Sequence, residues 1–404
     1  MPDAHAITSF VGLQSYKVIR WERHHKSWIE LWLEYRGKIY RCGRCGAILS
    51  KYRGRAWVRL RDLNIAKHLV YAWEPRRLGD CPQCGVGRVA SRLARPFARC
   101  TRRFERWLFR LTRNMPVKDV SELAQVDWLM VKEAEIRHIR GLLRKRNLDG
   151  ITDLGIDEVS EKKGHRYLTL VTDINGRRVI WVGRGRDRAV LTKFFRWLGK
   201  KRTRRIKCVV IDMHDPYEQE VRKRCRRARL IYDHFHIIKP LSLAIDLIRR
   251  RLQNELPPEG RRHLKNSRYL LLRPQEKLSL RQRVRLKELF AANEPLSVAY
   301  ILKEDLRGIF RTWDSRAARV ELRAWKRRVQ ESAIPELLEY VKMLNRRRFG
   351  ILNFLKHRKT NGLSEGFNNV VKTIKKAAYG FHDWQYFRLK ILRKCGKLEE
   401  KPAS

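Results

Sequence analysis

One segment restricts the fold of this chain more than any other: residues 206–211, a near-continuous apolar run that ends at Asp212. Such a run is typical of a strand covered on both faces, as in a parallel sheet flanked by helices. Other apolar patterns predict strands at residues 155–159, 167–172, 178–182 and 229–232 and helices at residues 187–198 and 216–226. The first three strands form a meander through the hairpin turn Asn175-Gly176, whereas the later ones require crossovers. The chain is therefore expected to be an α/β protein with a mixed sheet.

Three carboxylates follow this predicted sheet. Asp157 lies inside the first strand, Asp212 directly follows the fourth, and Glu365 lies near the start of a helix that can pack against the sheet edge. In this order the three acids can converge, and a converging set suits a hard divalent cation such as Mg²⁺. Two such ions would clamp the attacking and leaving oxygens of an in-line phosphoryl displacement. The alternative for each acid is a strand cap or a salt bridge to a nearby arginine.

The helix that carries Glu365 opens near Asn361 and is amphipathic at helical spacing. Its apolar face carries Phe367, Val370, Val371, Ile374 and Ala378. The opposite face is expected to carry Glu365, Asn368, Asn369, Lys372 and Lys376. This polar stripe could lie along a nucleic-acid backbone, or it could be an ordinary solvated basic face. The two asparagines could position a phosphate or bond to the sheet edge.

A histidine pair follows the last predicted strand. His234 and His236 would share one face if the strand continued past Asp233, with Phe235 opposed. One of them could line the active site, or both could be structural. Beyond them, residues 240–350 have few strand signals, carry Arg and Leu at helical spacing, and predict an all-helical insertion.

Two cysteine knuckles precede the sheet, each a pair separated by two residues and followed by glycine: Cys42-Gly43-Arg44-Cys45-Gly46 and Cys81-Pro82-Gln83-Cys84-Gly85. Four thiolates so spaced predict one structural Zn²⁺ bound by Cys42, Cys45, Cys81 and Cys84. The gap between the knuckles is longer than in a compact zinc ribbon and carries strands of its own at residues 56–60 and 68–73. The alternative is two unrelated thiol pairs. Four cysteines without partner spacing are expected to be free thiols: Cys100, Cys208, Cys225 and Cys395.

A short helical region lies between the knuckles and the sheet. Residues 116–124 predict one helix, residues 125–127 a tight turn and residues 128–140 a second, basic helix. This arrangement fits a helix-turn-helix, with a helical linker bundle as the alternative. The residues expected to contact DNA are Lys118, Trp128, Lys132, Arg137 and Arg140, together with Asn368, Lys372 and Lys376.

The charge of the chain points to the same class of partner. Its 93 Lys and Arg residues against 42 Asp and Glu residues give a formal net charge of +51 over 404 residues. A polyanion, most simply double-stranded DNA, explains this excess, because each cation set against a phosphate releases counterions. The alternative is a generically basic protein. No apolar run of membrane-spanning length and no leader pattern is present, so we expect no membrane partner and a cytoplasmic, nucleoid-associated protein of a prokaryote.

Four segments together resemble those of the DDE insertion-sequence transposases, and more narrowly the ISL-three group. They are Gly155-Ile156-Asp157-Glu158, Val209-Val210-Ile211-Asp212-Met213 with Pro216-Tyr217, Asp233-His234-Phe235-His236, and Ser364-Glu365-Gly366-Phe367-Asn368-Asn369. The resemblance spans nearly the whole chain. It implies a ribonuclease-H-like fold interrupted by a helical insertion, and it implies that Asp157, Asp212 and Glu365 are the catalytic triad. Asp212 is preferred over Asp215 because it directly follows the apolar strand.

The resemblance also implies an organisation and an activity. The expected domains are a zinc-binding module at residues 1–100, a helix-turn-helix at 101–147, a catalytic core at 148–239, a helical insertion at 240–352 and the end of the core at 353–404. The protein would bind the terminal inverted repeats of its element and cleave and transfer DNA strands with two Mg²⁺ ions per site. Pairing of two ends implies at least a homodimer. The alternatives are a regulator that binds DNA through an inactive catalytic fold and a nuclease without strand transfer.

Overall fold

The computed structural model describes residues 4–13, 15–24, 27–162, 166–257, 261, 264–378 and 380–398. The chain forms two compact units, Met1–Lys145 and Arg146–Ser404. Within the described part of the chain, no helix is both long enough and apolar enough to span a membrane.

The first unit combines a β-sheet with a helical cluster. Its elements are α1 (Ala4–Val11), β1 (Tyr16–His24), β2 (Trp28–Tyr35), β3 (Ser50–Ile65), β4 (His68–Cys81), β5 (Gly85–Arg88), α2 (Arg102–Leu111), α3 (Val117–Ala124) and α4 (Trp128–Arg144). The sheet order is β1-β2-β4-β3, with β5 added on β4. Alternate residues of β2, such as Leu31 and Leu33, are fully buried in the core below the sheet. The strands expected between the cysteine knuckles are present and are longer than their apolar runs.

Capping residues define the helices of the helix-turn-helix. The Thr101 side chain accepts a hydrogen bond from the N–H of Phe104 and begins α2. Gln125 ends α3 with φ 51°, a left-handed conformation that reverses the chain. The Asp127 carboxylate then accepts a hydrogen bond of 2.5 Å from the N–H of Leu129 and begins α4. The predicted pair of helices with a tight turn at residues 125–127 is therefore confirmed.

The second unit begins with the mixed α/β sheet. Its elements are β6 (Asp153–Lys162), β7 (Arg166–Asp173), β8 (Arg178–Arg184), α5 (Arg188–Leu198), α6 (Lys200–Thr203), β9 (Cys208–Ile211), α7 (Asp215–Arg224) and β10 (Arg229–Tyr232). The sheet order is β10-β9-β6-β7-β8. β6, β7 and β8 are antiparallel neighbours, whereas β9 runs parallel to both β6 and β10. All four residues of β9 are buried, as its apolar sequence predicts.

Helices fill the rest of the second unit. They are α8 (His234–Glu255), α9 (Arg268–Leu272), a 3₁₀ turn (Gln275–Lys277), α10 (Leu280–Ala291), α11 (Glu294–Arg311), α12 (Ser315–Glu331), α13 (Pro335–Arg346), α14 (Arg348–His357), α15 (Leu363–Ala377) and α16 (Trp384–Cys395). One continuous core joins the sheet to the insertion, from Ile211 of β9 to Trp325 of α12. The insertion is therefore packed as part of the second unit.

Close packing of α14 on β10 yields a test of this architecture. A Cβ at Gly350 would lie 2.3 Å from the buried ring of Tyr232, whereas one at Gly308 of α11 would meet nothing within 4 Å. We expect Gly350→Ala to lower the free energy of unfolding by about 1–3 kcal/mol through overpacking. Gly308→Ala should raise it by up to ~1 kcal/mol, because alanine is the better helix former. Urea unfolding of the full chain measures both, and equal effects at the two sites would contradict the α14–β10 packing.

Candidate active site and metal centres

The parallel pairing of β6 and β9 brings two acids side by side. Gly155 of β6 is aligned with Val210 of β9. Two residues further along each strand, Asp157 and Asp212 follow as neighbours. One oxygen from each and a ring nitrogen of His236 all lie within 4.8 Å of one another. Among the described residues, these three form a group that could hold a metal ion.

The histidine of this group comes from the first turn of α8. Strand β10 ends at Tyr232, and the carboxylate of Asp233 caps the helix by accepting a hydrogen bond of 3.0 Å from the N–H of Phe235. The strand therefore does not continue, and the expectation that the two histidines share a face is wrong. The His234 ring stacks on Phe354 at 5.3 Å. His236 lies against the acids, with Nδ1 3.1 Å from Oδ2 of Asp212.

Electrostatics at the group favour a cation. Burial, together with the neighbouring charges of Asp157, Asp233 and Glu158, raises the pKa of Asp212 to about 8. Burial also lowers the pKa of His236, which disfavours a positive charge on the imidazole. In a chain of net charge +51, the charges that act on Asp212 are those of three acids and one lysine, Lys239, so negative charge is in excess here. A divalent cation bound to these oxygens would balance this excess, so the donor set fits such an ion.

Helix α15 contacts the acids through an amide. Asn368 Nδ2 donates hydrogen bonds to Oδ2 of Asp157 at 2.9 Å and to the carbonyl of Glu158 at 3.5 Å. Further along the helix, the Lys375 ammonium donates to the carbonyl of Glu161. Asn368 is therefore half-buried against β6, as the alternative of a bond to the sheet predicts, and does not share the exposure of the other residues of the polar stripe. Those other residues are exposed: Glu365, Asn369, Lys372 and Lys376. Ala378, expected on the apolar face, directly follows the helix and is also exposed.

Glu365 lies outside the group formed by Asp157, Asp212 and His236, so the third predicted acid is not part of this group among the described residues. It is exposed in the first turn of α15, three residues before Asn368. Residues at that spacing are neighbours on a helix surface, with Cβ atoms about 5–6 Å apart. The Asn368 contact thus shows that the helix that carries Glu365 also contacts Asp157.

The entry to α15 is anchored on the sheet. The N–H of Asn361 donates a hydrogen bond of 2.6 Å to Oδ2 of Asp233. The Asn361 side chain lies so close to β6 that a Cβ at Gly155 would be 2.2 Å from its Oδ1. Glycine at 155 is therefore required by the approach of this segment. Nearby, the buried atoms Asn361 Nδ2, Ser364 Oγ and Asn368 Oδ1 have no hydrogen-bond partner within the described chain. Such atoms are typical of a site that a solvent molecule or ligand completes.

The four knuckle cysteines form a second candidate metal centre, at the edge of the first unit. Their sulfur atoms lie within 4.8 Å of one another, and Sγ of Cys45 is 3.4 Å from Sγ of Cys81. Gly46 and Gly85 have φ of 79° and 68°, which lets each knuckle turn its N–H groups inward. The N–H groups of Cys45 and Arg44 lower the pKa of Cys42 to about 7. A pre-formed set of four thiols with a stabilised thiolate is compatible with zinc.

The remaining cysteines lie apart from this group. All four are buried free thiols, and burial raises the pKa of each: Cys100, Cys208, Cys225 and Cys395. They are packing residues.

A third group of possible ligands lies on β1 and β2, where Glu22, His24 and Glu30 approach within 4.8 Å. Both carboxylates are already neutralised, Glu22 by Arg20 and Glu30 by Arg59. This group is therefore a surface salt-bridge network.

The helix-turn-helix residues that are expected to contact DNA differ in whether their side chains are exposed or already bound to another residue. Lys118 and Arg140 are exposed, and the Lys132 ammonium lies 5.2 Å from the centre of the half-exposed Trp128 ring. Arg137 instead donates a hydrogen bond of 2.9 Å to the buried carboxylate of Glu105 on α2. Arg137 thus has a structural partner that links α4 to α2.

Sequence comparisons agree with both units. A family profile described as "Transposase" matches residues 154–391, and another, described as "Helix-turn-helix domain of transposase family ISL3", matches residues 91–132. A Bordetella parapertussis protein named "Transposase for insertion sequence element IS1001" is 34% identical over 398 residues, covering 97% of this chain and 98% of that protein. A Mycobacterium tuberculosis protein named "Transposase for insertion sequence element IS1557" is 32% identical over 376 residues, covering 86% and 84%.

The raised pKa of Asp212 predicts a pH-dependent effect of its replacement. The folded pKa of about 8 lies above the unfolded value of about 3.9, so the folded state holds an extra proton between these values. The free energy of unfolding of chelator-treated protein should therefore fall as the pH rises from about 4 to about 8. Asp212→Asn removes this loss, and should stabilise the protein at pH 8.5 by on the order of 2 kcal/mol and much less at pH 5.

Urea titrations at the two pH values measure the difference. Asp187→Asn is the control, because Asp187 caps α5 and asparagine caps a helix equally well. A gain for Asp212→Asn that is the same at both pH values would contradict the mutual repulsion of the acids.

Proposed function

Because the chain belongs to the ISL3 family of transposases, we propose that Asp157, Asp212 and Glu365 form its catalytic triad. Relatives named for insertion-sequence transposition cover nearly its whole length, so its function is that of a transposase. A regulator with an inactive fold is not favoured. The observation that carries the proposal is the pairing of Asp157 with Asp212 at a buried, cation-deficient spot in a strongly basic chain.

The three acids would hold Mg²⁺, two ions per site. Bound Mg²⁺ would supply Lewis-acid activation of water and stabilise charge on the scissile phosphate. The chain itself orients the ligands. Asn368 fixes one oxygen of Asp157, and His236 fixes one oxygen of Asp212. Such outer contacts keep carboxylates in a productive orientation. Glu365 has no such contact with any residue that the structure describes, and it would complete the site from the exposed side of α15.

The proposed reaction has two steps at one site. Water attacks the phosphodiester at the element end, and the bond to the leaving 3′-oxygen breaks. The freed 3′-hydroxyl would then attack a target phosphodiester in a transesterification, in which the new bond to phosphorus replaces the bond to the target strand's own 3′-oxygen, which leaves as a hydroxyl. The sheet order supports the ribonuclease-H-like assignment of this unit, since an antiparallel meander is followed by two parallel strands, and Asp157 of the meander strand β6 lies beside Asp212 at the end of β9.

The element ends would be bound by the first unit. Helix α4 would enter the major groove with Trp128 and Lys132, while Lys118 and Arg140 contact phosphates. In the second unit, exposed Lys372 and Lys376 would follow the backbone beside the acids. Pairing of two element ends calls for at least a homodimer. The reaction would take place in the cytoplasm of a prokaryote, at the nucleoid.

We expect the triad variants Asp157→Asn and Glu365→Gln to lose DNA cleavage by more than about 100-fold, because each removes a metal ligand's charge. The substrate is a labelled duplex that carries the DNA flanking the gene, incubated with Mg²⁺ or with chelator. Asp215→Asn is the matched control, since Asp215 is exposed and paired with Arg347. Filter binding should be unchanged in all three variants.

Two outcomes would contradict this assignment. Full cleavage by Glu365→Gln would exclude that residue from the triad. Loss of cleavage in Asp215→Asn with activity kept in Asp212→Asn would move the second ligand to Asp215.

The knuckle cysteines are proposed to bind one structural Zn²⁺. The purified chain should contain about one zinc ion, and Cys81→Ser should lose it, because three thiolates bind zinc far less tightly than four. Elemental analysis measures the metal, and thermal unfolding with and without chelator measures its contribution to the first unit. Cys100→Ala is the control, since Cys100 lies outside the group. Equal zinc content in both variants would contradict the site.

A further inference from the structure

Two large aromatic side chains of the second unit are unusually exposed. Trp313, between α11 and α12, is 84% exposed, and Phe235, in the first turn of α8, is 65% exposed. Both line the same cavity, whose volume is about 690 Å³. Exposed apolar surface gathered at one concave place is typical of a binding site.

The cavity has an apolar interior and a basic rim. Its apolar part comprises Ile238, Leu272, Phe310 and Phe354. Its volume lies in the range of small-molecule sites, about 300–1,000 Å³. It therefore suits a flat, uncharged ring that is attached to an anionic group.

The loop that presents Trp313 is held in place. The Arg358 guanidinium donates hydrogen bonds to the carbonyl of Phe310, in the last turn of α11, and to the carbonyl of Thr312, which follows the helix. The carboxylate of Asp314 begins α12 by accepting a hydrogen bond of 2.7 Å from the N–H of Arg316. Because both flanks are fixed, the exposure of Trp313 is a property of the fold.

The cavity begins next to the acids. The Phe235 ring lies 5.7 Å from the ring of His236, the residue that contacts Asp212. Lys239, one turn further along α8, also lines the cavity, and its charge acts on Asp212. A ligand could therefore span from the metal site into the cavity.

The cationic side chains that line the cavity differ in whether they already have a partner in the protein. Arg307 and Arg311 both pair with Glu276. The Lys303 ammonium is buried and donates to the carbonyls of Leu271 and Arg273. Within the part of the chain that the structure describes, Lys239 makes no ion pair. It is the cation of this rim that is available for a phosphate.

We propose that this cavity receives one unpaired base of the DNA strand next to the scissile phosphate, a role that rests on the proposed function. The base would stack on Trp313 and Phe235, and Lys239 would bind a flanking phosphate. Base stacking on aromatic side chains and a nearby cation are the general means by which proteins hold single-stranded DNA. A paired base cannot enter, because its edge is joined to the opposite strand. The cavity thus selects a strand that is locally open at the cleavage point.

The test compares a fully paired substrate with substrates that carry a mismatch or an abasic site at successive positions beside the cleavage point. Trp313→Ala should slow cleavage of the paired substrate roughly 5- to 150-fold, the range expected for the loss of one stacked base. At one position, a mismatch should restore most of the rate, because the base no longer has to be unpaired. Trp313→Phe, which keeps an aromatic ring, should retain most of the activity.

Tyr269→Ala is the matched control, because Tyr269 is 71% exposed in the same insertion but does not line the cavity. Normal cleavage by Trp313→Ala and Phe235→Ala would overturn the cavity proposal while leaving the transposase assignment intact. Equal slowing on paired and mismatched substrates at every position would also overturn it. Absence of cleavage by the wild-type protein would instead count against the proposed function.

Discussion

A buried hydrogen bond joins the two segments that flank the helical insertion. The carboxylate of Asp233 accepts from the N–H of Asn361, across 128 positions of chain that contain the whole helical insertion. Because Asp233 also caps α8, one side chain fixes both the departure of the insertion and its return. Helix α15 consequently reaches the sheet at a defined point, and Gly155 leaves the space that this approach needs.

Charge is distributed unevenly in this molecule. Most carboxylates near the sheet are neutralised by arginine, as Glu220 is by Arg188 and Arg224. Asp157 and Asp212 are the contrast, since the groups that contact them are an amide and an imidazole, and the charges that act on Asp212 are those of three acids against one lysine, Lys239. Although the chain has many arginines, no guanidinium group of the described residues contacts Asp157 or Asp212. The negative charge of these two residues therefore remains to be balanced by a bound cation.

Much of this arrangement could be predicted from the sequence, because it follows from local patterns. The apolar run at residues 206–211 gives the buried strand, and the acid directly after it lies at the sheet edge. The sequence pattern left open whether a histidine of the pair lines the active site, although a signal for the position of His236 was present. Asp233 is a favourable N-cap, and apolar residues at helical spacing follow it: Ile237, Leu241, Ala244, Ile245 and Ile248. Helical periodicity alone could not predict that Asn368 is partly buried, because its burial depends on a hydrogen bond to β6, a strand that is distant in sequence.

The energetically unfavourable features of the second unit lie close together in the fold. Asp212 is buried among like charges, Asn361 and Asn368 have unsatisfied atoms, and Phe235 and Trp313 are exposed to solvent. Each lowers the stability of the free protein and would be relieved by a different component: a cation, a polar ligand atom or a flat ring. Metal-bound DNA with an open base provides all three. The same residues that destabilise the free chain would therefore make the free energy of binding metal and DNA more favourable. Binding of the cation and binding of the DNA would then be coupled.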